Sequence, residues 1–312
     1  MRIGLVVDSA CDLPPEFFRD HKIEILPITI RLGAEEFVDR RDQQATLDFY
    51  SRHLANAAQA ESAPLPVEQI KQLFLERLVL DYDFVFCQTI ASSRSEIFEH
   101  TTQASLQILN GYKPIRAQAG LNSPFALRVI DTQNVFSAQG VMAVEVARLI
   151  GDGQPPNRIR ERLDALLPQL YMYGLPNNLY HLRARAQKKG DRSVGWFKYA
   201  IGSALDFKPV IRGHRGETGS VESVRHFEEG ARRCFKFIIA RIRAGLLTPT
   251  LCLSYSGPLE QLTALPGYEE MHAFAGQHGV AVYTSVASIT AGINVGEGAL
   301  NFAFCAPPHD FS

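Results

Sequence analysis

Two rhythms of hydrophobic and polar positions alternate along this chain. "RIGLVVDS" (Arg2 to Ser9) is an apolar, β-branched run that breaks at Asp8. "IEILPITIRL", "DFVFCQTI" and "LRVIDT" repeat the form, each short and nearly continuous, as strands buried on both faces require. Between them the pattern switches to a helical period. "DLPPEFFRDH" follows the first run, with Asp12 the predicted N-cap and prolines near the helix start. A further helix is predicted from about Ser93, and "AQGVMAVEVARLIGDG" gives one ending at Gly151. Strands alternating with helices predict a mostly parallel sheet covered on both faces, with right-handed crossovers.

The second half has a different pattern. "PNRIRERLDALLPQL" and "FEEGARRCFKFIIARIRAG" read as amphipathic helices, and "KPVIRGHRGETGSVESV" as two β runs around a Gly-containing turn. "TLCLSYS", "GVAVYTSV" and "ALNFAFCA" are further strand candidates. The turn-rich "GDGQPPN" (Gly151 to Asn157) supplies the boundary. The fold class is therefore α/β in two domains, 1–155 with a mostly parallel sheet and 156–312 with a mixed sheet.

Composition narrows the function. With 312 residues, 46 % hydrophobic and 21 % charged, the chain has an ordinary globular mix. A net charge of -1 supplies no field for nucleic acid. The five cysteines are scattered without a CxxC pair, which fits a reducing compartment. The opening residues do not read as a signal peptide and no apolar run reaches bilayer length, so a cytoplasmic location is expected. GxxxxGK[ST], HExxH and GxSxG are absent, and Gly292, Gly296 and Gly298 do not form GxGxxG. Asp8 and Asp12 stand four apart, where aspartyl-phosphatase chemistry wants two. No metal and no cofactor are expected.

What stands out is "TIASSRSEIF", where Thr89, Ser92, Ser93 and Ser95 gather as a strand hands over to a helix. Open α/β sheets bind ligands beyond the carboxyl ends of their strands. Ser93 and Glu96 have capping-box spacing, and helix N-termini attract anions. The serines either cap a helix and nothing more, or hold a carboxylate or phosphate oxygen.

Taken in order, several stretches resemble one family. "VVDSACDLP" is similar to V-T-D-S-T-A-D-L-P, "AEEFVDRRD" to E-E-Y-x-D-G-V-D, and "ESAPLP" to T-S-Q-P-S-P. "TIASSRSEIF" lies where T-I-S-S-x-L-S-G-T-Y is expected, and "VIDTQNVFSAQG" where V-I-D-S-x-x-x-S-x-G-x-G is. "GSALDFKPVI" resembles G-S-L-L-N-I-K-P-I-L, and "GINVGEGALNFAF" resembles G-T-H-T-G-P-G-A-L-G-I-A-F. Over nearly its whole length the chain resembles the DegV family of bacterial fatty-acid-binding proteins.

The resemblance implies a carrier rather than a catalyst. A long-chain fatty acid would lie in a tunnel between two α/β domains, its carboxylate gripped by hydroxyls, and some members present it to a separate ATP-dependent kinase. The implied head-group residues are Ser62, Ser92 and Ser93, with Thr89, Glu61 and Asn294 beside them and Asp8, Ser9 and Asp12 in the neighbouring loop. Phe84, Phe86, Ile90, Ile97 and Phe98 are candidate tunnel walls, or plain core. The chain departs from the pattern at Glu61, where the family has Thr, at Glu96, where it has Gly, and at Asn294, where it has His. An added acid would repel a carboxylate, so two ligands remain open: a fatty acid, or a less anionic amphiphile. The basic run Arg183, Arg185, Lys188, Lys189 and Arg192 is a solvated face or a docking patch for an acidic partner, in the family setting the kinase. The alternative function is an enzyme of phosphoryl or acyl transfer at the interdomain cleft.

Overall fold

The computed structural model describes residues 1–189 and 207–311. Among them the strands are β1 (Ile3–Asp8), β2 (Glu24–Leu26), β3 (Ile28–Leu32), β4 (Glu35–Asp39), β5 (Glu61–Pro64), β6 (Phe84–Thr89), β7 (Ala126–Asp131), β8 (Leu170–Leu175), β9 (Lys208–His214), β10 (Glu217–Val224), β11 (Thr250–Tyr255), β12 (Ala281–Val286) and β13 (Leu300–Cys305). They form three sheets. The order β2-β1-β6-β7 is wholly parallel. The order β10-β9-β8-β13-β11-β12 is mixed, with only β11 and β12 parallel. A small antiparallel sheet runs β4-β3-β5. The expected α/β class, with a parallel sheet earlier in the chain and a mixed sheet later, is the observed one.

One predicted strand is in fact two. "IEILPITIRL" breaks at Pro27 into β2 and β3, which belong to different sheets. Proline has no N–H to continue a ladder, and the chain uses the interruption to leave the parallel sheet. The hairpin expected in the second half is β9–β10, closed by Arg215 and Gly216 at φ 50° and 80°. The left-handed region at both turn positions suits the twist of an antiparallel pair.

The helix Ser137–Gly151 lies between the two large sheets. From Ser137 to Leu149 only Arg148 escapes burial. One side packs on β1 and β6, the other on β8, β11 and β13. The run "AQGVMAVEVARLI" is mostly apolar around the helix, as burial on both sides requires, and its buried polar residues are partnered, Gln139 with Asp8 and Glu145 with Arg148 and Arg162. At Gly140 the approach is close enough that a Cβ would stand 2.7 Å from the Asp12 carbonyl oxygen and 3.2 Å from Cys252 Sγ. No side chain fits between the β1 loop and β11.

A buried polar joint adds to this contact. Asp12 does not cap the helix after β1, as the sequence predicts; that helix, Pro15–Asp20, starts from Pro14 without a side-chain cap. Instead Asp12 is fully buried and accepts the Ser288 N–H at 2.8 Å. Arg41 is buried beside it, 3.4 Å from its carboxylate, and donates to the Val286 carbonyl at 2.8 Å. The Tyr50 hydroxyl lies 2.8 Å from the carbonyls of both Ala287 and Ser288, which share its one proton. Asp39 accepts from the Arg41 N–H at 3.1 Å and the Thr290 N–H at 3.4 Å. The N-terminal half thus clasps the segment from Val286 to Thr290, which begins the helix Ile289–Val295.

Gly140→Ala is expected to cost about 1–3 kcal/mol through overpacking against backbone, read as a Tm several degrees below the parent. Gly151→Ala, on the same helix with open space around the added methyl, should leave Tm unchanged or raise it; thermal unfolding followed by circular dichroism separates the two.

Candidate functional site

The carboxyl ends of β1, β6 and β7 point to one edge of the parallel sheet, and the loops there carry the predicted residues. Asp8 ends β1. It is fully buried and accepts from the Ala10 N–H at 2.9 Å, the Ile90 N–H at 2.6 Å and Gln139 Nε2 at 3.1 Å. Burial pushes its pKa up to about 6 against the lowering effect of those donors. Ser9 accepts the Ile28 N–H at 3.0 Å and so fixes the start of β3. Burial likewise raises the pKa values of Asp12 and Asp39, with Arg41 opposing. This loop is a bracket for its neighbours, which explains its burial.

The serine loop follows β6. Thr89 is buried, with its hydroxyl 3.5 Å from the Ile130 carbonyl. Ser92 and Ser93 are exposed. Ser92 donates its hydroxyl proton to Asp131 Oδ2 at 2.5 Å, and its N–H to Asp131 Oδ1 at 3.2 Å. Ser93 donates to the Gly216 carbonyl at 3.1 Å, across to the β9–β10 turn. The expected capping box of Ser93 and Glu96 does not form. The helix begins four residues after Ser93, at Ile97, whose N–H is taken by Ser95 Oγ at 3.3 Å; Glu96 makes no side-chain cap. Tertiary partners claim the two hydroxyls first.

Ser62 lies on β5, exposed and opposite Ile30. Glu61 is exposed opposite Arg31, so its charge faces a cation that also pairs with Glu36 at 2.7 Å. The chain continues from β5 to Leu65, whose carbonyl lies 2.8 Å from His100 Nδ1 on the helix Ile97–Gln107. The segment Leu54–Gln59 just before β5 packs against the helix Ile289–Val295, which carries Asn294. Asn294 is half-buried and turns its amide onto the Thr290 carbonyl at 2.6 Å. These contacts tie the segments flanking β5 to the helix carrying Asn294 and to the helix that follows the serine loop.

The candidate wall residues divide. Phe86 and Ile97 are fully buried and Ile90 nearly so, all within the main core cluster. Phe84 and Phe98 are half-buried, and the rings of Phe84 and Phe86 stand 4.8 Å apart. Arg183 is exposed. The side chains of Arg185, Lys188 and Lys189, and all of Arg192, lie outside the described residues. A separate groove of about 1190 Å³ opens elsewhere, lined by Arg2, Phe18, Lys22, Arg40, Arg77 and Tyr82 among others, and holds none of the predicted residues. No group of side chains suited to a metal occurs among the described residues, and no helix there is long and apolar enough to cross a membrane.

Sequence reading missed Asp131, Arg41 and Tyr50. Asp131 had a signal, since it closes a predicted strand at the ligand-binding edge. Nothing local marks Arg41 or Tyr50 as buried.

A family model described as "Uncharacterised protein, DegV family" matches residues 2–306. A DegV domain-containing protein of Xanthomonas axonopodis pv. citri is 53 % identical over 313 residues, covering 100 % of both chains. Among solved structures, a Thermotoga maritima protein described as a DegV lipid binding protein superimposes with TM-score 0.76 at 17 % identity, covering 99 % of this chain and 100 % of that one. DegV of Bacillus subtilis, described as a fatty acid binding protein, superimposes with TM-score 0.74 at 20 % identity, covering 98 % and 100 %.

Because the Asp8 carboxyl has a folded pKa near 6 against 3.8 in the unfolded chain, the native state binds its proton more tightly. Stability from this group is therefore present at low pH and falls as pH rises from about 4 to 6, by up to about 1.4 kcal/mol per unit. Carboxyl carbon-13 NMR should place the Asp8 midpoint near pH 6, and Asp8→Asn should flatten the stability slope across that window.

Proposed function

The protein belongs to the DegV family, and from that premise we propose that it binds a long-chain fatty acid between its two α/β halves. The head group sits among Ser62, Ser92, Ser93 and Thr89, with Asn294 and Glu61 at its side and the Asp8–Ser9–Asp12 loop behind. Two observations from related proteins support this reading: the Bacillus subtilis and Thermotoga maritima relatives of the same fold are described as fatty acid binding and lipid binding. The observation on this chain that carries it is the exposed Ser92–Ser93 pair at the carboxyl edge of a parallel sheet.

The energetics agree. A sixteen-carbon tail contributes on the order of 12 kcal/mol when buried, at about 0.8 per methylene, before the cost of ordering it. The tail supplies affinity and the head group orientation, since an unbonded buried carboxylate is costly. Glu61, expected to repel such a ligand, faces Arg31 across the β3–β5 ladder, which relieves that objection.

The carrier is proposed to hand its ligand to a separate ATP-dependent kinase, with the exposed Arg183 in the docking patch. A catalytic reading has one observation on its side, the Ser92–Asp131 contact. A serine nucleophile is ordinarily activated by an imidazole or amine base, and this contact pairs the hydroxyl with a carboxylate alone.

Native mass spectrometry of protein purified from bacteria should show an acyl chain copurifying, or uptake of added palmitate or oleate. Ligand-free protein that takes up neither sinks the proposal. Ser93→Ala should weaken oleate roughly tenfold to a hundredfold, the loss of one hydrogen bond to a charged group. Arg183→Glu should slow association with the kinase in a salt-dependent way, and an unchanged on-rate removes the docking role.

A further inference from the structure

Beside the outer strand of the parallel sheet runs a groove that the fatty-acid reading does not use, and we propose that it docks an extended acidic segment of a protein partner. Its volume of about 1190 Å³ exceeds the roughly 300–1,000 Å³ of pockets that enclose small ligands. β2 is the outermost strand of its sheet, and Ile23, Glu24 and Ile25 line the groove. The helix Pro15–Asp20, the segment 40–44 and residues from 77–82 supply the rest of the lining. Sheet edges are where extended segments add. This one is backed by apolar side chains, with Phe18, Ile23 and Leu78 buried and Ile25 and Tyr82 half-buried.

Charge names the occupant. The groove is lined by six cationic side chains and three acidic ones, in a chain whose net charge is -1. Four of the cations are engaged: Arg2 with Asp83 at 3.1 Å, Arg19 with Asp20 at 3.0 Å, Arg77 with Glu24 at 2.9 Å, and buried Arg41 with Asp12 at 3.4 Å. Lys22 and Arg40 are exposed, and neither has an ion-pair partner among the described residues. Of the acids, Glu24 is taken by Arg77, and Asp42 caps the helix Gln43–His53 by accepting the Ala45 N–H at 2.7 Å. Two uncommitted cations therefore stand against one exposed acid, Asp81. Arg40 is this chain's own addition, since in "AEEFVDRRD" it stands where the resembled pattern has Gly. An extended segment alternates its side chains between two faces, so acidic and aliphatic residues in turn suit a groove that offers cations and an apolar wall. A lipid surface calls for apolar side chains that project, and those here lie in a recess. A single small anion leaves them unused.

The probe is a short fluorescein-labelled peptide alternating Asp and Val, followed by fluorescence anisotropy with the full chain. It should bind saturably, and more weakly as salt rises. Lys22→Glu combined with Arg40→Glu should weaken binding about tenfold or more, because two attractions become repulsions. The same variant should gain binding to a Lys–Val peptide that the parent does not bind. Arg158→Glu combined with Arg160→Glu makes an equal change in net charge on the helix Pro156–Leu166, outside the groove; it should leave affinity within about twofold. All four positions are exposed, so both variants keep the fold, which circular dichroism checks. No saturable binding, or equal losses in the two variants, would overturn the proposal. So would displacement of the peptide by inorganic phosphate at comparable concentration, which makes the groove a small-anion site. Binding to phosphatidylglycerol vesicles that disappears with Lys22→Glu and Arg40→Glu, where the peptide does not bind, would overturn it in favour of a membrane surface. None of these measurements involves an acyl ligand, so their result stands apart from the fatty-acid reading.

Discussion

One helix has to satisfy two sheets at once, and the rest of the molecule is arranged around that constraint. Ser137–Gly151 has the parallel sheet on one side and the mixed sheet on the other, so almost none of its surface is free for polar residues. Its start must come close to both the β1 loop and β11, and Gly140 is where that closeness leaves no room for a side chain. Close packing of this kind is intolerant of even one added methyl. It holds the two large sheets at a short separation on either side of one helix.

The polar joint beside this helix does a different job. Burying Asp12, Asp39 and Arg41 together carries a desolvation penalty that one guanidinium between two carboxylates only partly offsets, and the raised pKa values of both acids are the sign of it. The return is directional. Arg41 and Tyr50 grip the carbonyls of Val286, Ala287 and Ser288, while Asp12 and Asp39 take the N–H groups of Ser288 and Thr290. Apolar packing alone would let that segment slide. Hydrogen bonds to both its N–H and its carbonyl groups hold the start of the helix carrying Asn294 in place.

At the carboxyl edge of the parallel sheet the same principle works on a smaller scale. A loop of hydroxyls is an ambiguous feature, because each hydroxyl can donate once and accept twice. Which proton points where depends on the acceptors that other segments bring. Asp131 from β7 and Gly216 from the β9–β10 turn make that choice for Ser92 and Ser93. The result is a frame in which each of the two hydroxyl protons already has an acceptor.

Much of the fold was legible along the chain. Apolar β-branched runs at β1, β6 and β7, the Gly-containing turn of β9–β10 and the mostly apolar helix from Ser137 each declare their structure through local pattern, a property of neighbouring residues. The serines at the end of β6 were legible as well, since strand ends and hydroxyl clusters are local features. What the sequence could not decide was partnership. "IEILPITIRL" reads as one strand until Pro27 sends its halves to separate sheets. Asp12 has the look of a helix cap, yet in the folded chain it accepts the N–H of Ser288, 276 residues away. Ser93 and Glu96 have capping spacing, yet the Gly216 carbonyl reaches Ser93 first. Short polar side chains bond whichever group the fold delivers within 3 Å, and only the tertiary structure fixes which group that is.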